Sequence, residues 1–260
     1  MTSPGVKTPP PVRGAHNDAR RASPRVLIGA SIALAVVITA IVLGVVLTRG
    51  SGSAKSAPSR GSLANALPGA AEVQSLLAGI PQKGNLLGSP TAPATLVEYV
   101  DLQCPFCQQF ETEAMPDLIR RYVRPGKLKV ELRPIAFIGL DSQTGREAAI
   151  AAGEQNRMFN FVQILYGNQG PENSGWLSDT MVEDAAASIP GLDVPGLMSA
   201  RNSAAVTAGA QRFDALSQAD KVHATPTILV GKSGAKPKVV PLLSPTDEPS
   251  VASAIDRALS

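Results

Sequence analysis

Three kinds of hydrophobic pattern follow one another along the chain. Residues 1–25 show no apolar periodicity and are rich in Pro, Arg and small residues, which predicts a short disordered tail. The run from Val26 to Thr48, VLIGASIALAVVITAIVLGVVLT, then carries no charge over 23 residues. A helix of that length rises about 34 Å, enough to cross the hydrocarbon core of a bilayer. A cleaved signal peptide would have an apolar region of roughly 7 to 15 residues and an Ala-x-Ala site after it. Neither is present, so the run reads as a transmembrane anchor. Residues 49–69 are rich in Gly, Ser, Ala and Pro, the composition of a flexible linker. Glu72 to Ile80 has the spacing of one short lead-in helix.

From Ala94 the pattern turns α/β. Thr95-Leu96-Val97-Glu98-Tyr99-Val100 has the apolar density of a buried strand and runs through Asp101-Leu102-Gln103 into Cys104-Pro105-Phe106-Cys107. Phe110, Met115, Leu118 and Ile119 then recur at helical spacing up to Tyr122. LKVELRPIAFI, residues 128–138, predicts the next strand. Residues 145–220 read as several helices, the first Ala-rich and carrying Met158, Phe159, Phe161, Val162, Leu165 and Tyr166. Thr227 to Val230 and Lys238 to Leu243 predict two strands around a Gly231–Gly234 turn, and Pro249 to Leu259 a closing amphipathic helix with Pro at its start. This order is that of an α/β thioredoxin fold with an inserted helical domain at about 141–221, preceded by one N-terminal transmembrane helix. The domain plan is a cytoplasmic tail (1–25), a transmembrane helix (26–48), a linker (49–69) and a thioredoxin-like domain (70–260).

Charge refines that plan. The formal charge is +3, but residues 1–50 carry six basic residues against Asp18 alone, and the remaining residues hold 18 basic and 20 acidic ones. The basic arm places the N-terminus in the cytoplasm and the domain outside it. Arg20-Arg21, followed by the non-apolar Ala22-Ser23-Pro24, reads as part of that arm rather than as an export signal. The body has no basic face for nucleic acid.

The chain has two cysteines, Cys104 and Cys107. Cys104 falls where a strand ends and a helix begins. There, free N–H groups and the helix dipole stabilise the thiolate, the nucleophile of disulfide exchange. Cys107 lies one turn on, near enough to resolve a mixed disulfide formed at Cys104, and Pro105 fits the first turn. Zinc would need four ligands, and with two Cys and two His, one of them His16 beyond the span, no such set forms. No metal or other cofactor is implied. A structural disulfide here would close a loop too small to stabilise the fold much. A chance CxxC on a surface helix is the remaining bland reading. Against it stands Thr225-Pro226, directly before the strand TILV. An X-Pro bond adopts cis at modest cost, and there it would present the preceding backbone to an extended substrate.

LGSPTAPATLVEYVDLQCPFCQQF (87–110), NFVQILYGNQ (160–169) and VHATPTILVG (222–231) together resemble DsbA-like proteins, notably the membrane-tethered ones of high-GC Gram-positive bacteria. The resemblance covers about residues 72–258. It implies donation of the Cys104–Cys107 disulfide to newly exported proteins, with Cys104 as attacking cysteine, Cys107 as resolving cysteine and Pro226 as cis-proline. It also implies reoxidation by a quinone-linked membrane partner of the DsbB or vitamin K epoxide reductase-like kind. Glu98 and Glu111 match acidic positions near the redox pair of the family. Two departures stand out. Phe106 replaces the His of the strongest oxidants, which implies a milder one. Thr225 precedes the proline as in isomerases and thioredoxins, whereas several DsbA proteins have Val.

Glu98, flanked by Val97 and Tyr99, is placed to be buried and to carry protons for Cys107; a simple structural carboxylate is the other reading. Asp101 is expected to be an ordinary surface acid. Phe106, exposed between the cysteines, and Thr225 are expected to contact substrate. His223 is either a rim residue of the substrate groove or a solvated loop residue, and Trp176 a core or capping residue. Two further functions compete with oxidation: a reductase or isomerase kept reduced by a membrane electron carrier, and a thioredoxin-like binding module with idle cysteines. Isomerases of this superfamily carry a separate dimerisation domain before the fold, and between span and fold this chain leaves no room for one.

Overall fold

The computed structural model describes residues 58–260. The expected tail, the expected span and the linker up to residue 57 lie outside the described residues. No helix of the described residues is long and apolar enough to cross a membrane. From Arg60 onward the stretch read as linker lies against the helical insertion: Arg60 bridges Asp193, and the Gly61 N–H bonds the Leu192 carbonyl at 2.8 Å. A helix, α1 (Ala70–Leu77), follows.

One mixed sheet organises the described chain. Its strands are β1 (Gln82–Lys83), β2 (Leu86–Leu87), β3 (Ala94–Val100), β4 (Leu128–Pro134), β5 (Thr227–Lys232) and β6 (Lys238–Val239), in the order β1-β2-β4-β3-β5-β6. Every residue of the central β3 is buried, whereas β4 alternates buried and half-buried positions. A strand covered on both faces reads as a continuous apolar run, and ATLVEYV is one save for Thr95 and Glu98. β4 runs parallel to β3 and β5 antiparallel to it, with Tyr99 opposite Thr227 and Val100 opposite Pro134. The C-terminal end of β3 therefore meets the N-terminal end of β5.

Between β3 and β4 runs one continuous helical segment: α2 (Pro105–Gln109), a π-turn at Phe110–Ala114, α3 (Met115–Leu118) and a second π-turn at Ile119–Val123. Its buried positions, Cys107, Phe110, Glu111, Ala114, Met115, Leu118, Ile119, Tyr122 and Val123, recur every four residues. In a regular helix of about 3.6 residues per turn such a stripe would drift around the axis. The two π-turns, with Met115 N–H reaching back to Phe110 O and Arg124 N–H to Ile119 O, absorb the drift. Pro116, which has no N–H to continue the ladder, sits directly after the first of them. Cys107 and Glu111 thus stay on the face that packs on the sheet.

The insertion between β4 and β5 comprises α4 (Leu140–Glu154), α5 (Met158–Gly167), α6 (Asp179–Ala187), α7 (Val194–Ala200) and α8 (Ala204–Ala219). The stretch read as one Ala-rich helix through Tyr166 is two. Asn156 takes a left-handed φ of 59° and ends α4, and the Arg157 N–H closes on Ala152 O at 2.9 Å. Ser178, Asp193 and Ser203 cap α6, α7 and α8 with side-chain oxygens. On α4 a Cβ at Gly145 would lie 3.1 Å from Leu102 Cδ1, so glycine lets the insertion close on the segment leading to Cys104. α9 (Glu248–Leu259), capped by Asp247, packs Val251 and Ile255 into the core.

Strand limits differ from the sequence reading at two places. Residues 135–138 leave the sheet because the Phe137 and Ile138 N–H groups turn to the Asp101 carboxylate. The last strand stops at Val239, two residues before Pro241, whose missing donor cannot continue a ladder. The hairpin of β1 and β2 turns at Gly84-Asn85 and is too short to show a period in sequence.

Candidate active site

Cys104 occupies the N-cap of α2, with extended backbone (φ −72°, ψ 118°) and Pro105 directly after it. Both cysteines are free thiols. The Thr225–Pro226 peptide is cis, and the Cys104 thiol donates to the Thr225 carbonyl at 3.2 Å. Chain ends from the neighbouring strands β3 and β5 thereby meet over one sulfur.

The two thiols differ sharply. The Cys107 side chain hydrogen-bonds Cys104 and lowers its pKa to about 6, against partial burial. The Thr225 side chain and the N–H groups of Cys107 and Phe106 at the start of α2 add to the lowering. Cys107 is pushed well above the usual thiol range, first by burial and then by Cys104 itself. Cys104 is only 4% exposed, with the Thr225 carbonyl against its sulfur. Phe106, beside it, is 55% exposed.

Beneath the sulfurs lies a carboxyl pair. Glu98 of β3 is fully buried, and so is Glu111 of the first π-turn. With both ionised, neither Glu98 oxygen has a hydrogen-bond donor. The two carboxyls lie close enough that each perturbs the other. Burial is the largest cause that raises both pKa values, and the Glu111 charge raises Glu98 further. Gln163 of α5 donates to the Glu111 main-chain carbonyl at 3.2 Å and to its carboxylate, which favours the ionised form of Glu111. Tyr166, also of α5, donates to the Asp101 carbonyl at 3.0 Å. Glu98 stood out in its apolar strand, while Glu111 was marked only by the family resemblance. Gln163 and Tyr166 were not assigned, although a glutamine amid the apolar run NFVQILY was a signal.

Asp101 is a correction. It is fully buried rather than a surface acid, and it holds the Cys104 approach to the insertion. Its carboxylate accepts from the N–H groups of Gln103 (2.9 Å), Phe137 (2.6 Å) and Ile138 (2.8 Å) and from Ser142 Oγ (2.8 Å). Gln103, buried as well, donates to Ser142 Oγ and accepts from the Asn173 N–H at 2.6 Å. A short strand-to-helix connection is thus locked by polar groups some forty to seventy residues away, which no local pattern could show.

On the other edge, Tyr99 donates to Asp220 at 2.7 Å and Arg133 bonds both, its guanidinium 5.3 Å from the Tyr99 ring centre. This triad ties β3 and β4 to the chain just before the Thr225 loop. His223 is exposed on that loop. Trp176 packs half-buried against the core, its indole N–H without a partner, in keeping with a core role. Among the described residues no group of three or more His, Cys, Asp or Glu could hold a metal ion.

Residues 82–239 match the family model described as Thioredoxin. The chain is similar to the Probable disulfide bond formation protein D of Bacillus cereus, 27% identical over 176 residues that span 66% of this chain and 77% of that protein. Its fold superposes on the oxidised BdbD crystal structure from Bacillus subtilis with a TM-score of 0.60, at 22% identity over 69% of this chain and 97% of that one. A thioredoxin-like oxidoreductase from Silicibacter pomeroyi superposes with a TM-score of 0.55, at 27% identity over 71% of this chain and 96% of that one.

Proposed function

The chain belongs to the thioredoxin family as a DsbA-like thiol–disulfide oxidoreductase, and from that premise we propose that it works outside the cytoplasm as a disulfide donor. In the donating direction a substrate thiolate attacks Cys104 Sγ and the Cys104–Cys107 bond breaks. Cys107 leaves and takes a proton from the carboxyl pair below it. A second substrate thiolate then attacks the substrate sulfur of the mixed disulfide and expels Cys104 as thiolate. The substrate ends oxidised and the enzyme holds two thiols, to be reoxidised by a quinone-linked membrane partner. The observation that supports this direction is the depressed Cys104 thiol, which makes it the better leaving group and stabilises the reduced enzyme.

Substrate contact falls to Phe106 and to the Thr225 backbone, which could pair with an extended chain as an added strand. Phe137, whose N–H bonds Asp101, and Leu140 at the start of α4 are also exposed, 58% and 78%, and offer further apolar contacts to an unfolded chain. Glu98 serves as proton carrier for Cys107. The charge-free run 26–48 and the basic residues before it support a single membrane span with the catalytic domain outside.

Trapping tests this reading. Cys107→Ser should accumulate covalent complexes with exported proteins, and Cys104→Ser should form none. If neither variant captures a partner, or oxidised protein fails to restore disulfides to reduced ribonuclease, donation is refuted and the binding-module reading takes its place. A pair held reduced in growing cells would instead point to the reductase.

A further inference from the structure

The body of the chain holds nearly balanced numbers of cations and acids, yet the fold separates them at the end of the sheet away from the redox pair. Lys232 stands opposite Ala94, so it closes the end of β5 furthest from the Cys104 end of β3. Beyond it the β5–β6 hairpin turns at Gly234, φ 84°, and carries Lys236 and Lys238. These three exposed lysines and Arg257 of α9 line one cleft of about 490 Å3, together with Val239 and Pro241. Among the described residues no acid lines it. Val239 is 55% exposed, and Leu243, four residues further along the chain, 88%. The hairpin is pinned to the segment before β3. The Ser233 N–H bonds the Pro93 carbonyl at 2.8 Å, and Ser233 Oγ donates to the Ala92 carbonyl at 2.6 Å. Gly231 lets Pro237 close on it, since a Cβ there would lie 2.9 Å from Pro237 Cα.

We propose that this hairpin docks on the anionic headgroups of a lipid bilayer, with Val239 and Leu243 entering the boundary between headgroups and acyl chains. The lysines supply attraction to the lipid phosphates, and their alkyl stems share the partly apolar boundary with the two aliphatic side chains. A soluble polyanion would meet the same cations but would gain nothing from Leu243, which favours a lipid surface. The inference goes beyond disulfide donation, and it rests on the anchor proposed above only for keeping the bilayer within reach. Docking at this end of the sheet leaves Cys104 and Phe106, at the other end, open to exported chains.

A polarity-sensitive maleimide dye on Leu243→Cys, attached while Cys104 and Cys107 are disulfide-bonded, reports the contact. The labelled full chain is reconstituted into vesicles of phosphatidylcholine, alone or mixed with phosphatidylglycerol. In the anionic vesicles the emission should move to the blue and nitroxide lipids should quench it, with neither change in phosphatidylcholine alone. A lysine near an anionic surface is worth about fivefold in affinity. Lys232→Gln, Lys236→Gln and Lys238→Gln together should therefore lower the ratio of docked to free domain about a hundredfold, with Cys104 alkylation by iodoacetamide as in the parent. High salt should act in the same direction. An equal shift in both lipids, or one that survives in the triple variant, would overturn the proposal. So would a soluble polyphosphate that binds through the lysines while phosphatidylglycerol leaves the dye unshifted. Loss of the chain from the vesicles on alkaline carbonate washing would instead refute the anchor, and the dye's response to phosphatidylglycerol vesicles added from outside would then decide the docking face.

Discussion

The Thr225 carbonyl oxygen lies 3.2 Å from Cys104 Sγ, although 121 residues separate the two in sequence. Strand pairing explains the meeting. Tyr99 of β3 stands opposite Thr227 of the antiparallel β5, so five residues beyond Tyr99 and two before Thr227 reach the same end of the sheet. The contact belongs to the thiol form, while the Thr225 side chain and the α2 N–H groups favour the thiolate.

The thiolate of Cys104 should therefore titrate near about 6, below the free value of about 8.5, and iodoacetamide should modify it well before Cys107. A depressed folded pKa stabilises the reduced protein above the ordinary thiol range, and that gain is lost as pH falls through about 6. Denaturation of reduced parent and Cys104→Ser across this window should show a difference that grows with pH. The reduction potential should lie between about −120 and about −270 mV, the values of the most oxidising superfamily members and of thioredoxin. First alkylation at Cys107 would contradict the assignment.

Glu98 carries the opposite sign. Its raised pKa means that its contribution to stability is greatest below the ordinary carboxylate range and falls as pH rises through the folded value. Glu98→Gln, which keeps the shape and removes the charge, should stabilise the fold by roughly 1 to 3 kcal/mol at mildly alkaline pH and little under acid conditions. The same variant should slow mixed-disulfide closure by Cys107. Melting curves with the same pH dependence as the parent would return Glu98 to a structural role.

Asp220→Asn weakens the ion pair with Arg133 and the bond from Tyr99, and should cost about 1 to 3 kcal/mol in a site this far desolvated. Tyr99→Phe removes one hydroxyl and should cost about 1 kcal/mol. Because Asp220 stands just before the Thr225 loop, Asp220→Asn should also shift the Cys104 titration. A lower melting temperature with an unchanged titration would confine the triad to stability.

Topology is tested from outside the cell. A membrane-impermeant thiol reagent on intact cells should label a Ser53→Cys variant and spare a Ser3→Cys variant. The reverse pattern would place the catalytic domain in the cytoplasm.

The redox chemistry was legible because it is local. A strand running into CPFC places one cysteine at a helix start and the other a turn inside, and a Pro before TILV marks the facing loop. Those features need only the chain near them. The alternation of helix and strand likewise follows from short periods, and with it the inserted helical block. Burial of Asp101, the Gln163 amide on Glu111 beside buried Glu98, and the Tyr99–Arg133–Asp220 triad were decided only when distant elements packed. A carboxylate on a loop looks the same in sequence whether it meets water or, as Asp101 does, donors from residues 137–142, since those partners are set by three-dimensional closure. The π-turns belong to the same class: the four-residue repeat is written in the residues from Cys107 to Val123, but which face it must match is fixed by the sheet beneath.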